Sequence, residues 1–298
     1  MTTTVAAPPN RTFELALLGL LALFWGSSYL FIKVALETIP PLTLIAARVS
    51  IAAALLYAVA RFQGHRLPAD TNTWRQFFVQ CIFLCLGGWA VLAWGQQFID
   101  SGLAGILNST SPIFVFLITF LWTRHEAVSG IRLAGALLGI VGVTLIIGVD
   151  ALSGLGAQVA GQLAVLSSAA LYGASAIYGK RFSHLPSTVT AAGTMFCASA
   201  VLIPLSLAIE KPWALAPSLI SLSAALALAV ISSCLALLLY FRLIKTLGSM
   251  GTASQAYLRV GVSVVLGMIV LGEQIGWSVG LGLIAVLAGV IAINSRPA

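Results

Sequence analysis

Charge is what this sequence has least of. Only 8% of its 298 residues are Asp, Glu, Lys or Arg, against 60% hydrophobic ones, and its mean hydropathy is +1.05. A water-soluble domain carries about a quarter charged residues to keep its surface wetted, so that class is excluded. Cysteine is scarce too. Cys81, Cys85, Cys197 and Cys234 all lie in apolar stretches without a CxxC pair, which argues against a disulfide framework or a zinc site, and no cofactor is expected. His65, His125 and His184 fall in three separate polar connections and read as solvated loop residues.

What is present instead is a succession of long apolar runs. They fall at about 14 to 34, 42 to 61, 77 to 97, 103 to 122, 130 to 148, 160 to 179, 188 to 209, 218 to 241, 251 to 271 and 277 to 294. A spanning helix takes roughly 20 apolar residues, so ten such helices account for most of the chain. The first run has no clear cleavage site after it and is read as a retained helix. Placing alternate loops on opposite sides puts eleven of the fifteen Lys and Arg residues on the side of both termini, with Lys33 and Lys211 opposite and Arg48 and Arg259 inside spans. Cationic loops stay on the cytoplasmic side, which predicts cytoplasmic termini. The basic excess is dispersed, so it marks topology rather than a nucleic-acid surface. Trp74, Trp122, Trp213 and Trp277 sit near span ends, as interfacial anchors do.

Displaced by 147 residues, the chain matches itself. Trp25-Gly26-Ser27-Ser28-Tyr29 and Lys33 align with Tyr172-Gly173-Ala174-Ser175-Ala176 and Lys180, while Glu126, Gly135, Gly142 and Val143 fall on Glu273, Gly282, Gly289 and Val290. The repeat predicts two units, residues 14–148 and 160–294. Five helices cross a membrane an odd number of times, so the second unit starts on the opposite side and the repeats are inverted. The expected fold is an all-α membrane protein, with ten transmembrane helices as two inverted five-helix repeats around a central cavity.

The Trp25-Gly26-Ser27-Ser28 run with Lys33, Arg48 in the next helix, the stretch from Ser101 through Pro112 to Glu126, and the Gly-rich helix that follows resemble the EamA-type repeat of the drug/metabolite transporter superfamily. The resemblance covers residues 14 to 294. It implies a multi-pass carrier of small metabolites in the bacterial inner membrane. Within that family the chain is similar to the aromatic amino acid exporters. The second half departs from the pattern: Tyr172 stands for the Trp, no Arg matches Arg48, and Val260 stands near the place of Pro112.

Several residues inside the runs invite a functional reading. Asn108-Ser109-Thr110-Ser111-Pro112 interrupts the fourth run with polar groups, which hydrocarbon tolerates where the break is buried or lines a wet cavity. The alternative is a packed kink whose Ser and Thr bond back to their own helix. Its counterpart is Ser254-Gln255-Ala256-Tyr257-Leu258-Arg259. Arg259 lies deep and suits either a substrate carboxylate or a structural bond to carbonyls. Arg48, nearer its helix end, is expected to snorkel toward the interface in a structural or lipid-headgroup role, and Lys33 and Lys180 to anchor helix ends. Trp25, Tyr29, Trp89, Tyr172 and Tyr257 offer aromatic faces to a substrate, and Ser28, Ser175 and Asn108 offer hydrogen bonds. Each of these also fits simple packing. Gly26 and Gly173 permit close helix approach, as do Gly135-x-x-x-Gly139 and Gly276-x-x-x-Gly280; packing within one subunit is the expected use, and a monomer is favoured over a dimer.

These features rank the function classes. An intramembrane enzyme needs a nucleophile with a base or paired aspartates, yet every Asp and His is assigned to a loop or span end, so no enzymatic activity is expected. An exporter of lipophilic cations usually needs an intramembrane carboxylate, and none lies at depth. Obligate cation binding is thereby disfavoured, but aromatic faces can also hold a cation, so an exporter of lipophilic cations or drugs stays the alternative, with a channel beside it. The leading expectation is export of small amphipathic metabolites, aromatic amino acids foremost, by alternating access without proton coupling. The partners are then a small-molecule substrate and the lipid bilayer, without nucleic acid.

Overall fold

A computed structural model of the chain describes residues 11–123, 130–151, 156–253 and 255–294. Each apolar run of the sequence falls on a helix. These are α1 (Arg11–Ala35), α2 (Pro41–Phe62), α3 (Thr71–Gly95), α4 (Ser101–Leu121), α5 (Gly130–Ala151), α6 (Ala157–Gly179), α7 (Ser187–Ile209), α8 (219–253), α9 (Gln255–Leu271) and α10 (Trp277–Asn294). Seven have segments long and apolar enough to cross a membrane: α1 to α4 and α6 to α8. The apolar parts of α5, α9 and α10 are shorter. No strand occurs among the described residues. Glu126 and Ser254 lie outside them.

Local chemistry sets the helix ends. Asp70 Oδ1 accepts the Thr73 N–H at 2.7 Å and starts α3, and Ser218 Oγ accepts the Ser221 N–H at 3.1 Å and starts α8. Both satisfy amides that a first turn leaves free. After α2, Gly64 takes φ +79° and the His65 N–H returns to Ala60 O. That left-handed closure is cheap for glycine.

The helices pack in a pattern that the 147-residue displacement maps onto itself. The α1·α9 contact corresponds to α6·α4, α1·α8 to α6·α3, and α2·α8 to α7·α3, while α2·α7, α4·α9 and α5·α10 correspond to themselves. Glycines make the close approaches. A methyl on Gly26 would lie 2.6 Å from the Val262 side chain and 2.9 Å from Arg259 O, and one on the equivalent Gly173 would lie 3.1 Å from Val115 N. Between α5 and α10, a methyl on Gly142 would come 2.8 Å from Gly282 O, and one on Gly289 2.5 Å from Gly135 O. The second pair is the first pair displaced by one repeat. The Gly135-x-x-x-Gly139 motif is therefore used within the chain, whereas a methyl on Gly280 would meet nothing within 4 Å.

Two helices change pitch at related places. α3 is π-helical over Ile82–Ala90 and α8 over Leu228–Leu235, and the two stretches overlap when displaced by 147. Such wider turns occur disproportionately at functional sites. The outward faces are apolar: Leu137, Val141, Ile269, Leu281 and Ile284 are all exposed, the reverse of a soluble protein and the distribution that lipid requires. Trp213 and Trp277 are exposed near helix ends.

Candidate functional site

The two π-helical stretches meet at one residue. Arg48 of α2 is 5% exposed. Its Nε donates to Ser233 Oγ of α8 at 2.8 Å, and its guanidinium lies 3.7 Å from the ring centroid of Trp89 on α3. Ser233 in turn donates to Leu228 O, a carbonyl of its own widened turn, at 3.1 Å. Expected to snorkel outward, Arg48 points inward instead. Polar and aromatic partners on α3 and α8 hold it in the core, so depth counted along the helix did not predict its environment. The usable signals were Gly87-Gly88 and Ser232-Ser233, small or polar pairs in otherwise apolar spans.

A second set of groups joins this one from α1, α4 and α6. The Tyr29 hydroxyl donates to Asn108 Oδ1 at 2.9 Å, and Gln96 Nε2 donates to Tyr29 O. Ser168 Oγ donates to Gly88 O at 2.6 Å, beside Trp89. The Tyr172 ring lies against Gly88, where a methyl would sit 3.4 Å away. Arg259 of α9 reaches α1 one turn from Tyr29, where a methyl on Gly26 would lie 2.9 Å from Arg259 O. Arg259 Nε is buried with no hydrogen-bond partner. Tyr29, Arg48, Trp89, Asn108, Tyr172 and Arg259 thus converge, from six different helices.

The other expected site residues lie elsewhere. Trp25 tilts against Tyr240 of α8 with ring centroids 5.2 Å apart, in a cluster with Leu18, Leu21 and Leu243. Ser28 donates to Trp25 O in its own helix. Ser175 accepts from Gln80 Nε2 at 2.9 Å, tying α6 to α3. Tyr257 donates to Val290 O at 3.4 Å and packs by Ile113 and Val286. The interruption in α4 does two things. Ser109 and Thr110 bond back to Ile106 O and Leu107 O, each at 2.6 Å, while Asn108 faces the central group.

Away from the centre, acids and Lys33 bind helix ends. Lys33 Nζ donates to Gln96 O and Ile99 O just beyond α3, the anchoring expected of it, whereas Lys180 is exposed. Glu273 accepts the Ser101 and Gly102 N–H groups that open α4, at 2.6 and 2.9 Å. Glu210 likewise accepts the Leu42 and Thr43 N–H groups that open α2. Glu14 pairs with Arg242 at 2.9 Å and with Thr246; that pairing raises the guanidinium's pKa above its usual value. No cluster of three or more metal-ligating side chains occurs among the described residues.

Long apolar helices with lipid-compatible faces, enclosing arginines, tyrosines and an asparagine, define a multi-pass transmembrane protein. The chain belongs to the EamA-like transporter family, which matches residues 12–148 and 159–295. It is similar to the "Uncharacterized inner membrane transporter YedA" of Escherichia coli strain K12, 26% identical over 92% of this chain and 88% of that one. It is also similar to the "Uncharacterized transporter YoaV" of Bacillus subtilis strain 168, 28% identical over 57% of this chain and 59% of that one. A crystal structure superposes with a TM-score of 0.66 over 93% of this chain and 96% of that chain, at 20% identity, and so shares the fold.

Proposed function

We propose that this transporter is a carrier exporting small amphipathic metabolites, aromatic amino acids and related aromatic carboxylates foremost. Ten spans in two inverted units, residues 14–148 and 160–294, would work by alternating access in the bacterial inner membrane with both termini in the cytoplasm. The observation that carries this reading is the convergence of Tyr29, Trp89 and Tyr172 with Arg48 and Arg259. Aromatic rings supply flat apolar area to a ring-bearing substrate, and a guanidinium supplies the planar fork that recognises a carboxylate. The self-matching helix contacts support a two-fold related carrier, because one rocking motion can then open either side of a central site. Glu14, Glu210 and Glu273 already bind a guanidinium or backbone amides, which supports substrate movement without a titrating acid at depth.

Purified protein in liposomes, offered labelled aromatic amino acids, aromatic carboxylates, nucleobases and quaternary amines, tests the reading. Saturable flux of the aromatic compounds alone is expected, with Trp89→Ala lowering it at least tenfold. Flux confined to quaternary amines would overturn the proposal in favour of a cation exporter. A flux linear in concentration would favour a channel. Concentration of a zwitterion driven by an imposed pH gradient at matched potential, and abolished by a protonophore, would sink the absence of proton coupling.

A further inference from the structure

The centre of the protein holds two cationic groups and, among the described side chains, no acid to offset them. Glu14 is paired with Arg242, Glu210 and Glu273 are spent on the amides opening α2 and α4, and Glu37, Asp70 and Asp100 lie at helix ends. The side chains of Glu126 and Asp150 are outside the described set. Arg48 donates through Nε to Ser233. A guanidinium carries five N–H donors, so its two terminal amino groups keep four donors beyond that bond. Arg259 Nε is buried without a partner. Uncompensated charge in an apolar interior is costly unless something of opposite sign arrives.

Resting on the carrier reading above, we propose that the transported species is an aromatic carboxylate bearing net negative charge, held between Arg48 and Arg259, and that each outward transport step carries that charge across the membrane. A zwitterionic amino acid presents an ammonium as well as a carboxylate. At this centre the ammonium meets two guanidinium charges. One face of Trp89 already carries the Arg48 guanidinium at 3.7 Å, so a second cation on that ring would meet its charge, and Asn108 Oδ1 already accepts from Tyr29. A neutral acceptor such as the buried Gln255 Oε1, one turn from Arg259 on α9, offers only a dipole against two full charges. Replacing the ammonium by a keto group or a hydrogen removes the conflict and leaves the ring and the carboxylate unchanged.

The charge also supplies a driving force without a proton. Moving one negative charge outward through 100 mV, inside negative, sustains a gradient of about 50-fold. This removes the need for an intramembrane acid that titrates.

The test compares two substrates of one skeleton, phenylpyruvate and phenylalanine, in proteoliposomes whose potential is set by potassium and valinomycin. Phenylpyruvate is expected to move with at least tenfold higher kcat/KM, and its efflux to quicken when the lumen is made negative. Arg48→Gln and Arg259→Gln should each reduce this flux at least tenfold, whereas Lys180→Gln, an exposed charge of the same sign, should not. Should either arginine variant fail to fold, wild-type protein decides the matter alone: phenylpyruvate should raise its melting temperature and phenylalanine should not. Preferential transport of phenylalanine, or phenylpyruvate flux indifferent to potential, would overturn this inference and leave the carrier reading standing. Failure of both compounds to move would overturn the two together.

Discussion

At the scale of single residues, the α1 glycines give a controlled comparison. A methyl on Gly26 would collide with the Val262 side chain and with the backbone oxygen of Arg259, whereas one on Gly19 of the same helix would meet nothing within 4 Å. Overpacking costs about 1–3 kcal/mol, while removing a helical glycine gains roughly 0.5–1 kcal/mol. Gly26→Ala should therefore lower the melting temperature in detergent, and Gly19→Ala should leave it unchanged or raise it. Tyr29→Phe acts through its partner. It leaves the buried Asn108 Oδ1 without its donor at a cost of about 1–3 kcal/mol. A double cycle with Asn108→Leu should recover part of that loss, because both polar groups are then gone.

Helices meet charge at their ends, and there predictions concern the element as a whole. Glu273 uses both carboxylate oxygens on the first amides of α4. Glu273→Gln keeps the shape but replaces one acceptor by a donor, so a loss of about 0.5–2 kcal/mol is expected by analogy with cap removal; thermal unfolding reads it. Next to it, Asp100 has its pKa raised, first by partial burial and then by the charge of Glu273, with Lys33 opposing. A raised carboxyl pKa means that the folded state holds its proton longer than the unfolded state. The contribution is absent below the ordinary carboxylate pKa, and stability falls as pH climbs from there through the raised value. Asp100→Asn should flatten this slope and make the protein more stable at neutral pH than the wild type. An unchanged melting profile across that range would refute the assignment.

On the scale of the molecule, orientation is the quantity to measure. The cationic majority on one side predicts that the connection between α2 and α3 faces the cytoplasm and the one between α7 and α8 faces outward. In a cysteine-free background, Lys211→Cys should react with a membrane-impermeant maleimide on intact cells, and Arg66→Cys should react only after lysis. The reverse pattern would invert the orientation and with it the sense of export.

Composition and spacing alone determined that this chain crosses a membrane many times, that it is a duplicated unit, and that Gly26, Gly173 and the Gly135-x-x-x-Gly139 pair are contact points, although Gly280, read the same way, is not one. Those properties are local or periodic: an apolar run must sit in hydrocarbon wherever its neighbours are, and a duplicated gene keeps its register. Lys33 was legible for the same reason, since a cation one turn from a helix end reaches only what lies there. The tertiary structure decided which side chains share the centre. Trp25, Ser28, Ser175 and Tyr257 are aromatic or small polar residues just as Tyr29, Asn108 and Tyr172 are, yet they pack or bond within their own helix or along another seam. Arg48 was read as a snorkelling cation and lies instead against Trp89 and Ser233. The distance to a helix end says nothing about the angle around the helix axis. That angle is set by packing against two widened turns 185 and 41 residues away in the chain, and sequence periodicity carries no record of it.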